Sequence, residues 1–304
     1  MAQEILRLFA FLGKDNVYLS IYENGSFDRT KEKLKQFKIE LERRGFRYSI
    51  VSENVYRPAI FHHIEYLAKI RNKALEPLSK ELSSSRKYDK IVFMNDILFC
   101  KNDILELIYQ SDLQGSDFTS PLDIHGVGTN PPQIEFRDGW VARDIKGGFF
   151  YNKLDDLFDH EESKQRIGQN LPFQVQSSWN GVAVLNAEPF YLKETPIRFR
   201  RSKMGTNECS ASECSLICND FWSLGYGRII VVPKILVSYN LKDVDLIDAN
   251  YMNILKVKPS LEERIKYIPG PKEVACRNLL EYNALNASHN VTWTKYLSVD
   301  IKPL

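Results

Sequence analysis

Long apolar runs are scarce in this chain. Stretches such as Ile91–Met94 and Ile229–Val232 fall far short of the ~20 consecutive apolar residues that a membrane-crossing helix requires. Ile5–Leu12, close to the start, lacks a basic flank and is too short for a signal anchor. The chain is therefore expected to be cytosolic, or a piece of a longer membrane-anchored protein. Histidine is rare too, with five in 304 residues, which leaves little material for imidazole metal sites or a Ser-His-Asp triad. The adjacent pair His62-His63 falls in a predicted helix, where neighbours do not face one ligand. No P-loop, G-x-G-x-x-G, G-x-S-x-G, H-E-x-x-H or C-x-x-C motif occurs. Excess charge is missing: 41 basic against 39 acidic residues leave +2. That argues against a general polyanion binder, and so against a nucleic-acid partner.

What remains is an ordinary globular composition, 43% hydrophobic and 26% charged. Gly and Pro are scattered, and no repeat or linker breaks the chain, so one domain spanning 1–304 is expected. Aromatic residues, at 12%, suit either a core or a stacking surface for sugars or bases. The five cysteines admit two readings: buried thiols on a helix face, or one disulfide from Cys209 to Cys214 or Cys276. Sequons at Asn24, Asn286 and Asn290 lean toward a secretory lumen, the last two because they lie within five residues.

Hydrophobic periodicity predicts alternating strands and helices. Asn16–Tyr22 reads as a strand, and Asp28 can cap a helix running to Arg44 that Gly45 ends. Tyr48–Val51 is a strand, Arg57–Leu78 a long helix, and Lys90–Met94 a buried strand stopping at Asn95-Asp96. Asn102 caps another helix through Ile108, and Asp117–Pro121 is a strand. This β-α-β order predicts an α/β fold with a central, mostly parallel sheet and helices on both faces. Further on, Phe173–Leu185 reads as a strand, Ser212–Leu224 as a helix and Arg228–Tyr239 as a strand. Ligands of such sheets bind at the carboxyl ends of the strands, which singles out the loops after Tyr22 and at Asn95-Asp96.

A carboxylate at the open end of a buried strand is where a hard divalent cation, Mg²⁺ or Mn²⁺, can bridge two phosphates; a turn or cap role for Asp96 is the alternative. The element order adds weight to the first. A nucleotide-binding half, an acidic strand end, a loop-rich middle, then an acidic helix and a Gly-Tyr-led strand (Gly225–Tyr239) resemble the plan of GT-A glycosyltransferases. Six segments, in order, sharpen this: Ser20–Asp28, Tyr66–Leu78, Phe93–Phe99, Trp140–Asp144, Ser178–Gly181 and Ala211–Leu216. Together they resemble the fungal capsule-associated α-1,3-mannosyltransferases, glycosyltransferase family 69.

That resemblance implies a GT-A-like fold with a nucleotide-sugar half at about 16–125, an acceptor half at about 126–240 and a C-terminal extension over 241–304. It implies retaining transfer of mannose from GDP-mannose to a mannose-containing glycan acceptor, a bound Mn²⁺ or Mg²⁺, and a Golgi-lumen type II membrane protein whose N-terminal anchor is not in this chain. On the donor side it places Ser20, Tyr22, Glu23, Asp28, Arg71, Asn72 and Asn95, with Asp96 on the metal. On the acceptor side it places Arg143, Asp144, Trp179 and Asn180, with Glu213 as the catalytic carboxylate that orients the acceptor. Plainer roles stand beside these. Asp28 can be a helix cap, Arg71 can pair with Glu65, Trp179 can be core, and Arg143-Asp144 can be a loop salt bridge. The metal motif holds Asn95-Asp96 instead of two carboxylates, and Ser238-Tyr239-Asn240 stands where a metal histidine often lies. An inactive, glycan-binding scaffold and a transferase for another sugar, such as xylose, are the alternative functions.

Overall fold

The computed structural model describes residues 1–59, 61–128, 133–254, 263–279, 291–297 and 299–303. An amphipathic helix, α1 (Ala2–Leu12), leads into β1 (Leu19–Glu23), α2 (Thr30–Arg44), β2 (Tyr48–Ser52), α3 (His63–Ser83) and β3 (Lys90–Met94). Then come α4 (Lys101–Leu113), β4 (Phe118–Val127), β5 (Gln133–Phe136), β6 (Arg143–Asp144) and α5 (Glu161–Gly168). The second half contains β7 (Phe173–Ser177), β8 (Val182–Asn186), α6 (Glu213–Ser223), β9 (Ile229–Val237) and α7 (Leu241–Ile254). Two short strands, β10 (Glu273–Cys276) and β11 (Thr292–Lys295), close the tail.

The architecture is α/β, with helices on both faces of a central sheet. Strand β8 shows why both faces are covered: Val182 and Val184 join the core under α1, α2 and α4, whereas Ala183 and Leu185 join the core under α3 and α6. Successive strand residues point to opposite faces, so a strand apolar at every position needs a helical layer on each side.

The sheet is mixed, not mostly parallel. Its order is β3-β8-β4-β9-β7-β6, with β5 added to β4, while β1 and β2 form a separate parallel pair. Only β4 and β9 pair in parallel within the main sheet; β3–β8, β4–β8, β7–β9 and β6–β7 are antiparallel. The expected single strand over Phe173–Leu185 is two strands in line, β7 and β8, which pair on opposite flanks of the β4–β9 pair. Ser178–Gly181 shifts the chain sideways without reversing it, so both pieces run against β4 and β9. The β-α-β rule applies to the earlier strands because each is followed by a helix; it has no purchase on a strand that jogs.

Local signals explain most element ends. Gly45 takes the left-handed conformation (φ 69°) that ends α2. Helix α3 begins at His63, later than Arg57, because Pro58 disfavours a helical residue before it. His62 caps it, accepting from the Ile64 amide and contacting the Leu279 carbonyl through Nε2. Helix α4 is capped one residue ahead of Lys101 by the Cys100 backbone amide donating to Asp103, not by Asn102. A Cys209–Cys276 disulfide joins the approach to α6 to β10, choosing between the pairings open in the sequence. The tail is laid over the second half: Ala275 donates to Gly147, Leu279 to Ser210, and Lys302 to Gly225. Asn286 and Asn290 lie outside the described residues.

Candidate active site

Three strand ends meet at one edge of the sheet. The Asn95 amide, just past β3, donates to the Gly181 carbonyl at 2.8 Å, and the Leu98 amide donates to Ser238, just past β9, at 2.8 Å. Gly181 has φ 79°, and a Cβ there would come within 2.5 Å of Ile97 and 3.3 Å of the Tyr239 hydroxyl. The protein's own side chains thus approach the backbone closely here, and only glycine fits.

Above this junction sits a cluster drawn from six separate stretches. The Arg71 Nε donates to Glu213 Oε1 at 2.8 Å, and its Nη1 to Asn95 Oδ1 at 3.0 Å. Asn95 also accepts from Trp179 Nε1 at 3.4 Å and donates to the Tyr239 hydroxyl at 2.7 Å. The Arg71 guanidinium lies 4.7 Å from the Trp179 ring and 5.5 Å from Phe93 and Phe199. Glu213 opens α6, where the helix dipole favours a carboxylate, and Ser212 caps the same helix. Its side chain is 2% exposed and that of Arg71 15%, so this is a buried ion pair. Of the residues expected at the site, the fold brings together Arg71, Asn95, Trp179 and Glu213. The partner of Arg71 is Glu213, not Glu65. Trp179 is 2% exposed and packs edge-on to Phe93, Phe118 and Phe199, so it serves as a wall under Arg71.

Asp96 goes the other way. It is exposed, and no hydrogen bond or ion pair of its carboxylate occurs among the described residues. Among those residues no three His, Cys, Asp or Glu side chains form a metal cage, and the Asn95 carbonyl is already taken. This donor set fits a cation that one carboxylate shares with a diphosphate, the usual manner for Mg²⁺; Asp96 would be its protein ligand.

A second group, not singled out in the sequence, adjoins the cluster. Asp123 on β4 is 3% exposed, and its Oδ1 has no partner among the described residues; Asn180 Oδ1 is likewise buried and unpartnered. The Asn180 amide donates to Asp138 at 3.0 Å, and its side chain to the Pro121 carbonyl at 2.6 Å. Burial, with the nearby Asp138 charge, pushes the Asp123 carboxyl up to about 7, and burial pushes Asp138 up to about 6. Arg137 lies 4.2 Å from the Tyr239 ring on the same side. Two acidic groups in a β-rich loop region carry no local motif, so the sequence offered no signal for them.

The remaining expected residues are engaged locally. Glu23 accepts from the Gly25 and Ser26 amides and the Ser52 hydroxyl. Its burial opposes ionisation, yet these donors prevail and hold the carboxyl at about 2. Asp28 accepts from the Thr30 amide at the start of α2. Ser20 donates to the Ala74 carbonyl and Tyr22 to Glu53, and Asn72 clamps Phe199 through both its amide and carbonyl. Arg143 spends its donors on the carbonyls of Ala275, Trp140 and Ala142, and Asp144 closes a turn onto Lys146 and Gly148. No hydrogen bond links Arg143 or Asp144 to Arg71, Asn95 or Glu213 among the described residues. In the loop after β1, Phe27 is 91% exposed and stacks on Tyr56, ring centroids 5.4 Å apart.

The description "Cryptococcal mannosyltransferase 1" matches residues 1–220. The chain belongs to the cryptococcal mannosyltransferase 1 family. It is 32% identical over 310 aligned positions to the Alpha-1,3-mannosyltransferase CMT1 of Cryptococcus neoformans, covering 93% of this chain and 66% of that relative. A crystal structure of S. aureus TarS 1-349 is similar at 14% identity with a TM-score of 0.42, over 86% of this chain and 63% of the other. The family match covers every stretch contributing Arg71, Asn95, Trp179 and Glu213, and stops before Tyr239.

Proposed function

We propose that this member of the family is a GT-A-like glycosyltransferase that moves mannose from GDP-mannose to a mannoside acceptor in α-1,3 linkage, with retention, in glycan, cell-wall or capsule synthesis. The observation that carries the reading is the convergence of Arg71, Asn95 and Glu213 at the carboxyl end of β3. The similarity to an α-1,3-mannosyltransferase supports the transferred sugar and the linkage. Mn²⁺ or Mg²⁺ held by Asp96 would offset charge on the departing diphosphate. Arg71, bonded to Asn95 next to Asp96 in the chain, would turn a guanidinium toward the phosphate oxygens. The same side chain fixes Glu213, so donor binding and acceptor orientation share one cation. Glu213 orients the acceptor hydroxyl instead of attacking the sugar, because a carboxylate in a buried ion pair is a poor nucleophile. The acceptor oxygen bonds to the anomeric carbon on the face that GDP leaves, and the departing phosphate oxygen takes the hydroxyl proton.

A Golgi-lumen location accords with the Cys209–Cys276 disulfide, which needs an oxidising compartment. The test is incubation with GDP-mannose, Mn²⁺ and an α-mannoside, with the product linkage read by NMR. An α-1,3-mannoside is expected; a β-linked or non-mannose product overturns the reading. The scaffold alternative draws on the local engagement of Glu23 and Asn72. Titration with GDP, GDP-mannose and UDP-sugars, with and without Mn²⁺, separates the two, since a scaffold binds no nucleotide.

A further inference from the structure

A cleft of about 730 Å³ runs between α3 and the segment 198–201. It shares one wall, Phe199, with the Arg71 cluster. Its charge is unlike that of the whole chain, whose excess is only +2. Lys69, Lys73, Lys80, Arg198, Arg200 and Arg201 line it, against the carboxylates of Glu65 and Glu76. Some of this charge is answered locally. Arg200 pairs with Glu208 and Asp220 at 2.6 and 2.8 Å, Lys73 with Glu76 at 3.1 Å, and Arg201 reaches Glu65 at 3.6 Å. The rest is not. Arg198 donates to the Phe190 and Ile197 carbonyls, whose dipoles do not cancel a full charge. Lys69 and Lys80 have no ion-pair partner among the described residues, and neither has the buried Nε of Arg201 an acceptor there.

We propose that this cleft binds an anionic oligosaccharide: the part of the acceptor chain that carries carboxylate or phosphate groups, held beside the site of transfer. A concave wall lined mainly by one sign of charge concentrates its field on a ligand inside it. Arginine forks match carboxylate and phosphate oxygens. The concavity suits a chain and not the flat surface of a bilayer. The proposal rests on the chain acting on glycans, but its test needs no transfer.

Titration calorimetry on the full chain would compare neutral mannohexaose, its uronate form oxidised at C6, and a form bearing mannose 6-phosphate. At ~50 mM salt the cleft's natural anion should bind at least ~10-fold more tightly than the neutral chain, and lose that advantage at ~0.5 M. Which charged form gains tells carboxylate from phosphate. Lys69→Glu with Lys80→Glu, both at exposed positions, should abolish the advantage while GDP affinity and transfer to methyl α-mannoside stay unchanged. Arg201→Lys, which keeps the charge and loses the fork, should cost part of it. Equal affinity for neutral and charged chains, an unaffected charge-reversal variant, or binding to phosphatidylserine vesicles with charged oligosaccharides ignored, each overturns the proposal. Salt-sensitive binding without any mannosyl transfer upholds the cleft and removes the mannosyltransferase reading alone.

Discussion

At the end of β3, Asn95 turns inward to Arg71, Trp179 and Tyr239, whereas Asp96, one residue on, stands exposed with no side-chain partner among the described residues. The inner region is a network in which each polar group is held by another, so its members bear on stability and activity together. Asp96, by contrast, is exposed with its carboxylate unspent and is free to meet a ligand. A residue's value as a functional candidate therefore depends less on its type than on whether the fold has already used it.

The sharpest way to break this contrast is at Glu213. Glu213→Gln leaves the Arg71 charge buried and poorly paired, which typically costs ~3–5 kcal/mol. Turnover should fall by at least ~100-fold, the melting temperature should drop, and GDP affinity should change far less than turnover. Arg71→Met with Glu213→Leu should recover most of the stability, since apolar replacements of a buried pair are often neutral, but none of the activity. Recovery of activity in that double variant would make the pair purely structural.

Asp96→Asn tests the exposed carboxylate. Metal-dependent GDP binding should weaken and turnover should drop by orders of magnitude, with an unchanged melting temperature in the absence of ligand. If chelators do not affect the wild type and the variant keeps full activity, no metal acts at Asp96, and the diphosphate relies on Arg71.

A smaller effect is expected at Asp123. Folding holds the Asp123 and Asp138 carboxyls protonated up to about 7 and about 6, whereas the unfolded chain ionises them near pH ~4. The folded state then binds more protons, so their contribution to stability is intact below pH ~4 and is lost as pH rises toward 7. Asp123→Asn should raise the melting temperature by a few degrees at pH ~8 and hardly at all at pH ~4. An equal change at both values would show that Asp123 is ionised in the folded chain.

The least perturbation is expected at Asn24. Its side chain donates to the Tyr66 hydroxyl at 2.8 Å, which in turn donates to the Val55 carbonyl. A glycan would break this chain of bonds and crowd the loop proposed to meet the donor, so mass spectrometry of lumenal, active protein should find Asn24 unmodified. Full occupancy would place that loop away from the donor.

Much of the fold was legible because its signals are local. Lys90–Met94 falls on β3 as expected, Gly45 ends α2, and Ser212 starts α6. The mixed sheet was not, since the direction of β7 and β8 follows from where a short jog delivers the chain. Helices α1 and α5 also escaped notice; the first was read only as an apolar stretch. For the site, the resemblance named Arg71, Asn95, Trp179 and Glu213, but spacing alone could not show that Arg71 meets Glu213 across 142 positions. Asp123 and Asp138 were missed because their environment, not their neighbours in sequence, sets them apart.

The disulfide has a consequence for how the molecule is made. Cys209 waits 67 residues for Cys276, and the Ala275 carbonyl that seats Arg143 arrives with it. A ribosome must therefore deliver the chain through Cys276 before the loop from Cys209 can be fastened. Early release, or synthesis in a reducing cytoplasm, would yield a product with its sheet assembled and its tail still loose.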